Sequence, residues 1–139
     1  MKVLDRTIEI STNGENDIVN ISEVTARVIA DSKLKNGIAT VFVVGSTAAI
    51  TTIEYESGLK DDFPNMLSRI APNNIEYEPD NTWHDGNGHS HVRASLIGPS
   101  ITIPFKSGHL ALGLWQQIVL LEMDIRPRER KIIIQVIGE

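Results

Sequence analysis

Apolar and polar positions interleave from Val3 to Ile10 as in a strand, which Ser11-Thr12-Asn13-Gly14 closes as a turn. Asn20 followed by Glu23 resembles a capping box, and the helix after it is expected to run to about Lys35. Val24, Val28 and Ile29 form its apolar stripe, and Asn36-Gly37 stops it. Ile38 to Val44 is almost wholly apolar and β-branched, which predicts a central strand covered on both faces. Gly45-Ser46-Thr47 breaks that strand, and Ala48 to Tyr55 continues as another. Asp61, Asp62 and Pro64 mark a second helix start, with Phe63, Met66, Leu67 and Ile70 at helical spacing and Ala71-Pro72-Asn73-Asn74 as its end.

Ile75 to Gly88 is polar and turn-rich, of a length at which a loop in a compact domain is usually functional. From His91 the pattern has period two: Val92, Ala94 and Leu96 fall on one face, His91, Arg93 and Ser95 on the other. This predicts a strand, paired as a hairpin with Ile101, Ile103 and Phe105. Leu114 to Met123 and Lys131 to Ile137 read as two late strands around the charged turn Asp124–Arg130. Strands outnumber helices and do not alternate with them, so the class is α+β in one domain spanning residues 1–139.

The candidate chemistry gathers between His84 and Ser100, which holds three of the four histidines and the turn Gly86-Asn87-Gly88. If the strand reaches back to His89, the His89 and His91 imidazoles leave one face with Cα atoms about 6.5 Å apart. Two imidazoles so spaced can share a divalent ion, with His84 or Asp85 as a further ligand; the same spacing also describes a solvated polar face. Arg128 and Arg130 share the parity of Ile132, Ile134 and Val136, where two guanidinium groups can clamp a phosphate or simply form a solvated basic turn. Gly45-Ser46-Thr47 can offer N–H and hydroxyl groups to an anion, without the lysine and glycine-rich length of a P-loop. Glu54 ends a largely apolar strand face and reads as a salt-bridge partner or a working carboxylate. Trp115 reads as core, with Gln116 turned the other way toward a ligand. His109, after a glycine turn, reads as an exposed loop residue.

Composition narrows the function classes. A net charge of −5 argues against a non-specific nucleic-acid or anionic-membrane binder. With no cysteine, disulfides, thiolate metal sites and cysteine nucleophiles are excluded. The opening MKVLDRTIEI is charged rather than a secretory leader, and no apolar run reaches membrane-spanning length, so a cytoplasmic location is expected.

Three segments, GSTAAITTIEYESGLKDD, GNGHSHVRASLIGPSITIPFKSGHLALGLWQQIVLLEMD and RPRERKIIIQVIG, occur in the order found in the YjbQ family, which the chain resembles over nearly its whole length. The GPS-x-x-x-P and LG-x-WQ segments are the most specific. The resemblance implies a two-sheet β-sandwich of about seven strands carrying two helices, assembled as a homotrimer. It also implies a divalent ion, commonly zinc, held by histidines, with magnesium as the alternative for pyrophosphate chemistry; only His91 matches a family histidine, so either His84 and His89 complete a set of His84, His89 and His91 here or this branch binds metal poorly. Some members are credited with a secondary thiamine-phosphate synthase activity, joining a hydroxymethylpyrimidine pyrophosphate to a thiazole phosphate. Carried over by position, the catalytic candidates are Glu54, His91, Gln116 and Arg130, and the substrate-binding candidates are Ser46, Thr47, Asn87, Ser95, Trp115 and Arg128. Many members read HTTA or HTSA where this chain has Ser46-Thr47-Ala48-Ala49, and a histidine following a tyrosine is absent at Tyr77-Glu78-Pro79. The expected partner is a phosphorylated small molecule. The alternatives are a metal-dependent hydrolase of such a molecule, with Glu54 or Asp85 as base, and a non-catalytic trimer that binds metal or metabolite.

Overall fold

A computed structural model describes residues 1–139. Strands β1 (Lys2–Ser11), β8 (Glu129–Gly138), β3 (Gly37–Val44), β5 (Ser100–Lys106) and β6 (His109–Leu110) lie in that order in one sheet. Strands β2 (Ile18–Asn20), β7 (Gln116–Glu122) and β4 (Ala48–Glu54) form a second, and every pairing is antiparallel. Helices α1 (Ser22–Ser32), α2 (Ser57–Ile70), α3 (Glu78–Trp83) and α4 (Gly88–Ile97) complete an α+β sandwich. The eighth strand is the two-residue β6, reached through Ser107 (φ 53°) and Gly108 (φ 79°), the left-handed pair that a two-residue hairpin turn requires. The two further helices are α3 and α4.

The main core lies between the sheets. Ala39, Val41 and Val43 of β3, Ile132, Ile134 and Val136 of β8, and Ile118 and Leu120 of β7 meet there, with Val28 and Ile29 of α1 closing one side. A second core of Ile18, Ala49, Leu67, Ala94, Val119, Leu121 and Met123 joins the outer face of the small sheet to α2 and α4. Strand β7 is therefore buried on both faces, which explains its unbroken apolar run. Strand β3 is not. Ile38, Phe42 and Val44 point away from the core and are 42%, 38% and 46% exposed, so the expectation of cover on both faces fails for a single chain.

Local signals explain three further shifts. Helix α1 starts at Ser22, with Asn20 Oδ1 accepting from the Ser22 N–H at 3.0 Å, and ends at Lys33 in the left-handed region rather than at Lys35. Helix α2 starts at Ser57, ahead of the expected acids, because Glu56 caps it by accepting from Gly58 N (3.0 Å) and Leu59 N (2.7 Å). Pro64 thus sits inside the helix, where it removes one donor.

The largest correction concerns residues 88–97. They form α4, not a strand, so no hairpin links them to β5. The buried residues His89, Ser90, Arg93 and Ala94 make a helical stripe, while Val92 and Leu96 are 47% and 56% exposed. The polar side chains face inward and the large apolar ones outward. The segment expected as one long loop contains α3, begun with Pro79 in its first turn and ended by His84 at φ 57°. No helix is long and apolar enough to cross a membrane.

Candidate functional site

One end of the sandwich is polar. Arg130 continues the inward parity of β8, and Glu122 that of β7, so two charged residues are carried into the margin of the core, 3% and 0% exposed. A buried pair of this kind holds only if the hydrogen bonds are complete. Arg130 Nε donates to Glu122 Oε1 at 2.8 Å and Nη2 pairs with Oε2. Nη2 also donates to the Thr47 carbonyl (3.0 Å) and Thr47 Oγ1 (2.8 Å). Thr12 Oγ1 (2.7 Å) and the Asp124 N–H (3.0 Å) supply the remaining donors to Glu122.

A second carboxylate joins this network. Thr47 Oγ1 donates to Asp124 Oδ2 at 3.2 Å, and Arg128 Nη1 pairs with the same oxygen. Burial pushes the Asp124 carboxyl up, but the Ile125 N–H, the Thr47 hydroxyl, the Asn87 amide and the Arg128 charge outweigh it and hold the group below the usual range. The Asn87 amide lies between acids: Nδ2 is 3.5 Å from Asp124 Oδ1, and turning the amide over brings it to 3.0 Å from Asp85. Arg128 and Arg130 are each paired with a carboxylate, so the solvated basic turn does not describe Arg130.

The histidines separate. Successive helical residues turn by about 100°, so His89 and His91 leave α4 on opposite sides. His89 is buried, its Nε2 pairs with Glu15, and its ring lies 6.3 Å from that of Tyr77. Arg93 Nε donates to the Ala71 carbonyl at 2.9 Å, and its Nη1 lies 3.7 Å from Glu15. His84 is an exposed helix cap and His91 is half-buried. No three His, Asp or Glu side chains converge anywhere to hold an ion, and His89 is engaged by Glu15. The expected set of His84, His89 and His91 does not fit a zinc site, because its spacing argument required a strand.

Beside the network, the β3–β4 turn and α4 enclose a cavity of about 150 Å³ lined by Gly45, Ser46, Ala48, Ala94, Ser95 and Pro99. Ser95 Oγ donates to the His91 carbonyl at 2.8 Å. Thus Ser46, Thr47, Asn87, His91, Ser95, Arg128 and Arg130 all come from segments meeting at this end. Glu54, Trp115 and Gln116 do not. They stand at the far end of β4, about 23 Å from Thr47 at the rise of an extended strand. Trp115 is 68% exposed rather than core. Gln116 Nε2 donates to Thr52 Oγ1 (3.1 Å), and its Oε1 accepts from the Gly113 N–H (3.0 Å). The largest cavity, about 540 Å³, opens there between α1 and the β6–β7 loop, over Ala26, Ala30, Leu110 and Leu112. Its only titratable neighbours are Glu23 and His109, so it offers little chemistry.

Sequence reasoning missed Glu122, Asp124, Thr12 and Glu15. For Glu122 there was a signal: a carboxylate at inward parity in an apolar run needs a buried cation. Glu15, in a polar turn, carried none.

A family model described as UPF0047 protein YjbQ-like matches residues 6–139. A UPF0047 protein of Methanocaldococcus jannaschii is 37% identical over 132 residues, covering 94% of this chain and 92% of its own. Another from Methanothermobacter thermautotrophicus is 35% identical across 100% of this chain and 95% of its own. Among solved structures, a YbjQ-like protein of unknown function from Sulfolobus solfataricus superposes with a TM-score of 0.92 at 33% identity, covering 99% of both chains. A YjbQ/UPF0047 family protein from Clostridium acetobutylicum gives 0.84 at 32% identity, covering 94% of this chain and 99% of that one.

Proposed function

The chain belongs to the UPF0047 (YjbQ-like) family, and from that premise we propose that it acts on a phosphorylated small molecule at the polar end of its sandwich, with thiamine-phosphate synthesis as the candidate reaction. The observation that carries this reading is a cavity walled by Ser46 and Ser95 beside the hydrogen-bonded network of Thr47, Asn87, Arg128 and Arg130, whose two guanidinium groups are fixed in place.

In that reaction the thiazole nitrogen attacks the methylene carbon of the pyrimidine pyrophosphate. A carbon–nitrogen bond forms, the carbon–oxygen bond breaks, and pyrophosphate leaves with the electron pair. The work left to the protein is to align the rings and stabilise negative charge growing on the leaving group. In this reading Arg130 and the partly exposed Arg128, each neutralised by a carboxylate, act as oriented hydrogen-bond donors to the leaving group, and the half-buried His91 can donate to a leaving oxygen. No step is assigned to a metal ion.

The cavity holds no aromatic surface for the rings. Trp115, Glu54 and Gln116 of the same chain are too distant, so in this reading another copy supplies them. The apolar outer face at Ile38, Phe42 and Val44, with exposed Leu114 and Trp115, supports such an assembly, and a homotrimer is the form we propose. Light scattering on purified protein tests the trimer: a monomer at working concentration removes the shared site. Purified protein given both precursors is expected to form thiamine phosphate, and His91→Ala to form about a hundredfold less. Equal product from both proteins removes His91 from the chemistry, and no product from either removes the reaction. Repeating the assay with a chelator tests the zinc or magnesium requirement that the family resemblance implies.

A further inference from the structure

We infer that the β3–β4 turn seats one tetrahedral oxyanion, the terminal phosphate of the substrate, with Gly45 as the window through which Arg130 reaches it; this rests on the phosphorylated-substrate reading and locates its phosphate. Arg130 uses Nε and Nη2 for all its bonds to Glu122 and Thr47, leaving Nη1 without an acceptor in the chain. Ser90 Oγ is the only sealed-off side-chain polar atom without a partner, so Nη1 retains access to solvent although its residue is 3% exposed.

Gly45 marks where that access lies. A Cβ on Gly45 would stand 2.9 Å from Arg130 Nη1, so a side chain there would push the guanidinium off its bonds to Glu122 and Thr47. Gly45 also has φ +133°, a backbone that other residues rarely adopt. Both constraints select glycine, and the result is a guanidinium nitrogen directly beneath the backbone that lines the cavity.

The turn adds donors. The N–H groups of Gly45, Ser46 and Thr47 find no backbone acceptor in the chain, and the Ser46 hydroxyl stands at the cavity wall. Consecutive free N–H groups beside a buried cation hold an anion through oriented dipoles, here without net local charge because Glu122 neutralises Arg130. The opposite wall is small, with Ala48 and Ala94 leaving room. At about 30 Å³ per water, 150 Å³ holds roughly five waters. That accepts a phosphate but not the organic body, which must project from the mouth. Five donors match a terminal phosphate, with three free oxygens, better than a carboxylate with two.

Isothermal titration of the full chain with inorganic phosphate tests this, with acetate as the planar comparison. Wild type is expected to bind phosphate saturably and acetate more weakly. Gly45→Ala closes the window. Ser46→Asp puts a like charge at an exposed position of the mouth, which leaves the fold intact. Each should weaken phosphate binding about tenfold or more, the loss expected for a charge-assisted hydrogen bond. Ser68→Asp, on the exposed side of α2, should bind as wild type does. If Gly45→Ala fails to fold, Ser46→Asp decides. Absence of phosphate binding by wild type, or Ser46→Asp binding as wild type does, overturns the inference. Product formation from the thiamine precursors is scored separately. Phosphate binding without product removes the reaction but not the seat, whereas undiminished product in Ser46→Asp removes the seat but not the reaction.

Discussion

Replacing Glu122 by alanine strips the buried Arg130 of its counter-ion. Glu122 is fully enclosed, accepts twice from the guanidinium, and also satisfies Thr12 Oγ1 and the Asp124 N–H. Breaking one side of a buried pair costs about 3–5 kcal/mol, most of it from the stranded charge. The two orphaned donors keep the loss toward the upper end. Domains of this size are stable by about 5–15 kcal/mol, so Glu122→Ala should approach the edge of folding. At about 2–4 °C per kcal/mol, its melting temperature falls by roughly 10–15 °C. Removing both charges, as Glu122→Leu with Arg130→Leu, takes away the stranded ion and should be markedly less harmful than Glu122→Ala. Urea unfolding at pH 7 followed by far-ultraviolet circular dichroism measures all three proteins. A loss below about 1 kcal/mol for Glu122→Ala, or a double variant worse than the single, would refute the buried-pair argument.

Three further outcomes follow from the same structure. The Asp124 carboxyl is held low in the fold, so its contribution is fully present above the unfolded value of 3.8 and fades as pH falls through the lower folded value; Asp124→Asn should flatten that acid limb in urea titrations at stepped pH. Leu67→Ala, in the core between α2 and the small sheet, should cost about 2–5 kcal/mol, while Ile70→Ala, one turn later and 58% exposed, should stay within about 0.5 kcal/mol; equal losses would contradict the assigned helix face. A Cβ on Gly88 would stand 2.4 Å from Tyr77 Cβ, so Gly88→Ala should force α3 from α4 and cost about 1–3 kcal/mol, measurable as faster amide exchange over residues 77–91.

The strands were legible where burial and hydrophobicity agree. β8 shows it best: Ile132, Ile134 and Val136 alternate in sequence and in the core. α4 was misread because they disagree there. Its inward stripe is His89, Ser90, Arg93 and Ala94, held by Glu15 and the Ala71 carbonyl from distant segments, while Val92 and Leu96 look outward. A reading that sends apolar residues inward therefore found a period of two in a helix, and the paired imidazoles with it. For the site, the turn Gly45–Thr47 and the two arginines carry residue types that suit an anion, but a solvated basic turn fits the arginines at least as well on sequence alone. Their neutralising carboxylates are not legible there, since Glu122 and Asp124 meet them only through the pairing of β7 with β4 and the facing of the two sheets. Trp115 is expected inside because tryptophan usually is; in this chain it lies open to solvent.

The most direct test of the account is a crystal structure of the protein grown in inorganic phosphate. The account predicts tetrahedral density above Gly45, within hydrogen-bonding reach of Arg130 Nη1 and the N–H groups of Ser46 and Thr47. Phosphate held only at other surfaces, with that turn closed over the guanidinium, would contradict it.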